Sequence, residues 1–399
     1  MMDTHLATTA RYLVEAAKSG IPEESRTKTA HRYFRRLLSI GVPLSLLLAL
    51  RGVSHLRKPP RSNRLGSLLI EDHASGPIAG SLKRNNAWAS PRKQSPGRLT
   101  MLASLVKSLS GMTAAYRHAA PATAFDVQRV LKLLSYYVFW HAVMRSDLPS
   151  VAALVRTNSP RRLALGAAAA ELGIPVLVWI VERQSNRPPA PYPVDAQLCW
   201  SSKQSDFAAS LGIVAARMPV PMKPLRTIDE TSLRTGKVGM LLNARADKKR
   251  LLDFLEGLDR NHAIRNIQVR PHPGSGMVQS DLPSVAVLRD WRQPLPDYLD
   301  SIYTALSMTS SSMTDALMHG VPVIYRRGLD DIDDELTGLL AKGIIPELRG
   351  DDDPILRLKE HYQGQGFDIA SFSEEYTADP GEESQLLMRY LPRRQMADR

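Results

Sequence analysis

The chain holds one cysteine, Cys199, in 399 residues. That excludes an intramolecular disulfide and any cysteine-based zinc site, and it fits a reducing compartment such as the cytoplasm. Long apolar runs are scarce as well: Ile40 to Leu50 contains Pro43 and falls short of the ~20 residues that span a bilayer. It follows a basic cluster without the layout of a secretory signal, so neither export nor membrane crossing is expected. Aromatic residues make up only 6%. The basic stretches therefore lack the interleaved rings of a nucleic-acid stacking platform, and nucleic acid is not an expected partner.

Acidic residues are thin in the first third, where residues 1 to 120 carry 19 Lys and Arg against 6 Asp and Glu, a surplus of 13. The whole chain carries +12, so the remainder is close to neutral. Lys28, His31, Arg32, Arg35 and Arg36, then Arg51, Arg57 and Lys58, flank a short apolar stripe of Phe34, Leu37 and Leu38. Such a pattern suits a helix lying on an anionic membrane surface, but charge runs more often form a solvated helix face covering a domain.

With 43% hydrophobic residues the chain can bury a large core, and its length favours two or three domains. The organising stretch is Tyr303 to Arg326. A strand-like run, Thr304 to Met308, stops at Ser310, Ser311 and Ser312; Met313, Ala316 and Leu317 recur at helical spacing; Gly320 ends the helix, and Val321 to Tyr325 reads as a second strand. This is one βαβ unit, and ligands of parallel sheets sit beyond the carboxyl ends of the strands. A phosphate is expected at Ser310 and Ser311.

The same alternation extends in both directions. Strands are expected at Ser67 to Ile70, Ser150 to Arg156, Val176 to Val181, Asp195 to Trp200, Ile213 to Val220, Lys237 to Leu242, Ile267 to Arg270 and Val285 to Leu288. Helices are expected at Leu99 to Arg117, Phe125 to Arg145, Pro160 to Leu172, Lys203 to Leu211, Lys248 to Leu258 and Pro296 to Ser301. Residues 76 to 98 read as a long loop, and the Pro-rich run Pro219 to Pro224 reads as a linker between two α/β blocks. The expected architecture is α/β, with two Rossmann-like domains facing each other across a cleft. Four regions are expected: a basic helical N-terminal region over 1–60, a first Rossmann-like domain over 61–222, a second over 223–350 and a helical tail over 351–399.

Three further groups bear on chemistry. Glu71 and Asp72 follow the first strand and Glu182 follows the third; carboxylates at strand ends are costly in a core and so are expected to face a cleft. Asp72 leads as the general base, with Glu182 second. Arg270-Pro271-His272-Pro273 places an arginine and an imidazole where a strand enters a turn, with a proline on each side of the histidine. Asp330 to Asp334 are expected to cap the helix that follows.

R-x-HP followed roughly forty residues further on by Ser310-Ser311-x-x-x-Asp315 and then Gly320-x-Pro322-Val323-Ile324 resembles the C-terminal half of bacterial surface-polysaccharide glycosyltransferases of the GT-B fold. More narrowly it is similar to those using cytidine-activated donors: sialyl- and polysialyltransferases, Kdo transferases and the related CDP-glycerol glycerophosphotransferases. The resemblance covers residues 237 to 330 and is only architectural over 150 to 222. It implies that His272 contacts the donor phosphate, that Ser310 and Ser311, with Ser312 and Arg270 beside them, hold the same phosphate, and that Asp315 and Pro273 lie near the nucleotide. It implies a CMP-linked sugar as donor, with no other cofactor and no metal, and a surface glycan or glycolipid as acceptor, at the cytoplasmic side of the inner membrane. Two departures stand out. Glu182-Arg183 replaces the His-Gly pair of the CDP-glycerol enzymes, and His73 replaces the Gly that follows the acidic pair of sialyltransferases. A UDP-sugar 2-epimerase or a degenerate transferase acting as a scaffold would share the same architecture.

Overall fold

The computed structural model describes residues 4–20, 63–65, 68–71, 92–93, 98–119, 124–156, 159–180, 190–234, 236–243, 245–273, 275–330, 338–364 and 369–390. Two sheets organise them.

The first unit opens with helix α1 (Thr4–Gly20), followed by strands β1 (Asn63–Leu65), β2 (Leu68–Glu71) and β3 (Arg92–Lys93) and by helices α2 (Arg98–Ala119) and α3 (Ala124–Ser146). Strands β4 (Val151–Arg156), β5 (Val176–Ile180), β6 (Ala196–Cys199) and β7 (Val214–Arg217) complete the sheet, with helix α4 (Pro160–Glu171) between β4 and β5 and α5 (Ser202–Ser210) between β6 and β7. The start and stop chemistry is local. Pro160 sits in the first turn of α4, Gly173 follows that helix at φ 66°, and the Ser201 hydroxyl caps α5 by accepting from Gln204 N.

The strand order is β3-β1-β2-β4-β5-β6-β7, parallel from β2 onward, with β1 antiparallel to both of its neighbours. The parallel strands run in chain order, so right-handed crossovers send the connecting helices to one face. Alternation along each strand then splits the core. Ala152, Leu154, Val176 and Val178 pack under the helical layer, while Val151, Ala153, Val155, Leu177 and Trp179 form the opposite face.

Helix α1 places Leu6, Ala7, Ala10, Leu13 and Val14 in that helical core. The separate region expected for residues 1 to 60 therefore does not hold for this helix, which belongs to the first unit. The basic clusters from Lys28 to Lys58 lie outside the described residues.

The second unit begins with the short helix α6 (Glu230–Arg234) and contains β8 (Val238–Leu241), α7 (Lys248–His262), β9 (Ile267–Arg270), β10 (Ala286–Leu288), α8 (Leu295–Asp300), β11 (Thr304–Ser307), α9 (Ser312–Met318), β12 (Val323–Arg326) and β13 (Glu347–Leu348). All six strands are parallel in the order β10-β9-β8-β11-β12-β13. Numbered within the unit this is 3-2-1-4-5-6, the doubly wound order in which the chain reverses direction beside its first strand. Leu251, Leu255 and Leu258 of α7 cover one face, and Met313, Ala316 and Leu317 of α9 with Tyr298 and Leu299 of α8 cover the other.

The described residues after 350, expected as a helical tail, form the helices α10 (Pro354–Tyr362), α11 (Ile369–Tyr376) and α12 (Pro380–Tyr390). They do not form a tail. Ile355 and Leu358 enter the second unit's core, Phe372 and Tyr376 pack beside α9, and Leu386 and Leu387 seal the open face of the first sheet. Arg217 holds this return crossing, with Nη2 donating to Glu382 Oε1 at 2.8 Å and Nη1 to Thr377 O at 2.8 Å.

The linker between the units is pinned as well. Lys223 N donates to Met318 O and Arg226 N to Gly320 O, each at 2.8 Å, so Lys223 to Arg226 lie along the end of α9.

Candidate functional site

A doubly wound sheet opens a crevice where neighbouring strands send their connections to opposite faces. Here that point lies between β8 and β11, and three loops meet at it. The Asn243 side chain, just past β8, donates through Nδ2 to Thr309 O at 2.8 Å and to Asp330 Oδ2 at 2.6 Å; its Oδ1 accepts from Arg245 N at 2.8 Å. Asp330, past β12, also accepts from Thr309 N at 3.2 Å and is only 4% exposed. Asp247 N reaches Leu329 O at 2.8 Å, and the Thr309 hydroxyl meets the Tyr325 hydroxyl at 3.2 Å. The crevice thus has a rigid polar floor. Asp330 is a buried acceptor that joins loops from three strands; the helix it was expected to cap would fall on residues 331–337, outside the described residues.

Above this floor the serine turn begins. Ser310 Oγ and Ser312 Oγ are 2.6 Å apart, and Ser312 N donates to Ser310 Oγ at 3.3 Å. Ser311 occupies the cap position of α9 in helical geometry, φ −63° and ψ −19°, and its side chain makes no cap hydrogen bond. All three serines are half-buried, as is Asp315 one turn further along.

His272 lies one strand to the other side, two residues past β9. Its carbonyl accepts from Ser275 N at 3.0 Å and from Ser275 Oγ at 2.9 Å, which closes the turn, and Pro271 is buried while Pro273 is exposed. The imidazole reaches solvent on one side, and partial burial holds its pKa below the ordinary value, so the neutral ring is favoured. Because β9 and β11 flank β8 on either side, the histidine and serine turns leave the same edge about 10 Å apart, two strand spacings.

Arg270 turns elsewhere. Its Nη2 donates to Trp291 O at 3.1 Å and Gln293 O at 2.8 Å, and its guanidinium lies 5.4 Å from the Tyr298 ring centre. Burial lowers its pKa, and Nη1 has no hydrogen-bond partner. Arg270 therefore fixes the loop after β10. That loop exposes the Trp291 ring, 41% accessible, with the Arg292 guanidinium 4.9 Å from its centre.

Of the carboxylates, Glu71 ends β2 beside Leu154 of β4, at the carboxyl edge of the first sheet. Asp72, Glu182 and the side chain of Glu71 lie outside the described residues.

Asn243, Thr309 and Trp291 were not singled out from the sequence, and Asp330 was singled out only as a helix cap. Asn243 left one signal, a lone polar residue directly after the apolar run of β8; Asp330 left none that separates it from the acids beside it.

No family model matches this chain, and no curated protein matches it. Among solved structures it is similar to the glycosyltransferase SnogD from Streptomyces nogalater (TM-score 0.42, 15% identity, 66% of this chain and 80% of that one). It is also similar to UDP-GlcNAc 2-epimerase from Methanocaldococcus jannaschii in complex with UDP-GlcNAc and UDP (TM-score 0.42, 12% identity, 65% and 81%). A third is CalG4, the calicheamicin glycosyltransferase (TM-score 0.41, 12% identity, 74% and 94%). Likeness at this level leaves the chemistry to the site itself.

Proposed function

We propose that the protein is a nucleotide-sugar glycosyltransferase that moves a sialic-acid-like or Kdo-like sugar from a CMP-activated donor to a surface glycan or lipid-linked acceptor. One observation carries the reading: a doubly wound sheet whose switch point is flanked, on one edge, by an imidazole turn and a triple-serine turn. In such a transfer the acceptor hydroxyl loses a proton to a base while negative charge grows on the departing phosphate, and preorganised donors must meet that charge. The Ser311 hydroxyl, unused for capping, and the neutral His272 ring supply donors from either side of β8. Ser310 and Ser312, already bonded to each other, orient the turn. Trp291 offers the nucleobase a face to stack on, held in place by Arg270. Asp72 is the proposed base, with Glu71 and Glu182 as the other carboxylates of the first unit. The acceptor places the enzyme at the cytoplasmic face of the inner membrane, as a peripheral protein.

Thermal shift with a panel of nucleotides tests the donor class. CMP is expected to raise the melting temperature, with a smaller rise in Ser311→Ala and His272→Ala. Protection by UMP or UDP and none by CMP overturns the cytidine assignment. Release of CMP from CDP-glycerol, and none from CMP-sugars, would move the protein to glycerophosphate transfer. CMP binding without turnover in the presence of acceptor would mark a binding protein instead.

A further inference from the structure

Helix α2 presents two different faces. Leu105, Met112, Ala115 and Ala119 are buried against the first unit's helical layer, whereas Leu99, Leu102 and Val106, spaced i, i+3 and i+7, are 82%, 49% and 62% exposed. At 3.6 residues per turn those three side chains form one stripe roughly opposite the buried face. Helix α1 offers the contrast, since its own stripe is spent on the core. Among the described side chains of α2, Leu99, Leu102 and Val106 are the large apolar ones that the fold leaves in water.

The charge of the helix's own sequence points to what covers the stripe. Helix α2 contains Arg98, Lys107 and Arg117 and no acidic residue, and Arg117 is exposed five turns from Leu99, on the same line. Residues 1 to 120, the stretch of sequence to which α2 belongs, carry the surplus of 13 positive charges. A neutral protein surface gains nothing from that surplus; a phosphate-rich lipid surface does. No described helix is long and apolar enough to cross a membrane, so the geometry is that of a helix lying in the plane of the interface. We infer that the Leu99–Leu102–Val106 stripe of α2 docks the protein on an anionic lipid bilayer, with the leucines and valine at the acyl boundary and Arg117 among the headgroup phosphates. This rests on the peripheral-membrane part of the proposed function and not on its donor chemistry.

Co-sedimentation of the full chain with phosphatidylglycerol-rich vesicles, and with pure phosphatidylcholine vesicles, tests it. The wild type is expected to bind the anionic vesicles, more weakly as salt rises, and to bind neutral ones poorly. The Leu99→Ser/Leu102→Ser/Val106→Ser variant is expected to lose about ten-fold or more of its partition coefficient, since apolar area and charge act together in such binding. Because these side chains are exposed, its melting temperature should stay near wild type. Leu99→Ser alone, at the most exposed position, should give an intermediate loss. Undiminished vesicle binding by the triple variant overturns the assignment, as does failure of the wild type to bind. A dimer that the variant splits, with no change in lipid binding, would make the stripe a self-association face and would also overturn it. The CMP thermal shift, measured on the same samples, reports on the donor site alone and separates the two failures.

Discussion

Asn243 Nδ2 donates to the Thr309 carbonyl at 2.8 Å and to the Asp330 carboxylate at 2.6 Å, so one side chain ties together the ends of β8, β11 and β12. The bond to Asp330 is charge-assisted and the acceptor is buried, which makes it expensive to break. Asn243→Ala leaves that carboxylate short of a donor and is expected to destabilise the second unit by about 1–3 kcal/mol. CMP affinity should fall with it, because Thr309 directly precedes the serine turn. Asn243→Asp should be worse at neutral pH and recover partly in acid, where one proton shared by the two carboxylates removes the repulsion. Urea midpoints across pH provide the check; a neutral Asn243→Ala would mean that the floor is held by backbone bonds alone.

The His272 ring gives a second pH signature. Partial burial lowers its folded pKa below the ordinary 6.5. The unfolded chain then binds the proton more readily, so this group disfavours the folded state in acid, and the penalty disappears as pH rises past the unfolded value. A bound phosphate reverses the sign of the effect, because a nearby negative charge favours imidazolium. Titration of the His272 ring by NMR is expected to show a raised pKa with CMP present, and CMP affinity that improves as pH falls through it. A ring whose titration ignores CMP is not at the phosphate.

How far the sequence foretold this arrangement follows from what each signal encodes. The βαβ unit from Thr304 to Arg326 was legible because a strand run, a polar turn and a Gly stop each have a local cause; the structure places β11, α9 and β12 there. The direction of Arg270 was not legible. A guanidinium at a strand end serves a phosphate or a loop carbonyl equally well, and the choice of Trp291 and Gln293 depends on a loop twenty residues away. The return of the chain to the first sheet was equally hidden. Leu386 and Leu387 read as one amphipathic face, and nothing local says that the face belongs against residues 151 to 218 of the first sheet.

Gly320 offers a clean test of the pinned linker. Its φ is +77°, and a Cβ there would stand 2.2 Å from Pro224 O. Gly320→Ala should therefore cost more than the ~1–2 kcal/mol of a left-handed non-glycine residue, because the linker backbone must also move. Gly343 supplies the control: its φ is +66° with nothing within 4 Å of an added Cβ. Gly343→Ala should show the backbone cost alone. Equal losses of melting temperature in the two variants would mean that Pro224 yields freely, and that the linker is not held against α9.

The pair Arg217 and Glu382 governs the return crossing between the units. Arg217 N and Nε donate to Glu382 Oε2 at 3.0 and 3.4 Å, Nη2 donates to Oε1 at 2.8 Å, and the two side chains are only 26% and 30% exposed. Burial alone would raise the carboxyl's pKa, but the bonds from Arg217 more than reverse this and hold it below the ordinary 4.5. A depressed folded pKa means that the stabilisation is fully present above the unfolded value and is lost as pH falls through the folded one. Glu382→Gln keeps the shape and removes the charge, so it should cost about 1–2 kcal/mol at neutral pH, after discounting for partial solvent screening, and almost nothing in strong acid. Because α12 seals one face of the first sheet, limited proteolysis of the variant should cut first between α11 and α12, releasing that helix while the second unit's core stays intact. Proteolysis that begins elsewhere, or a penalty that does not shrink in acid, would show that Leu386 and Leu387 hold the helix without the ion pair.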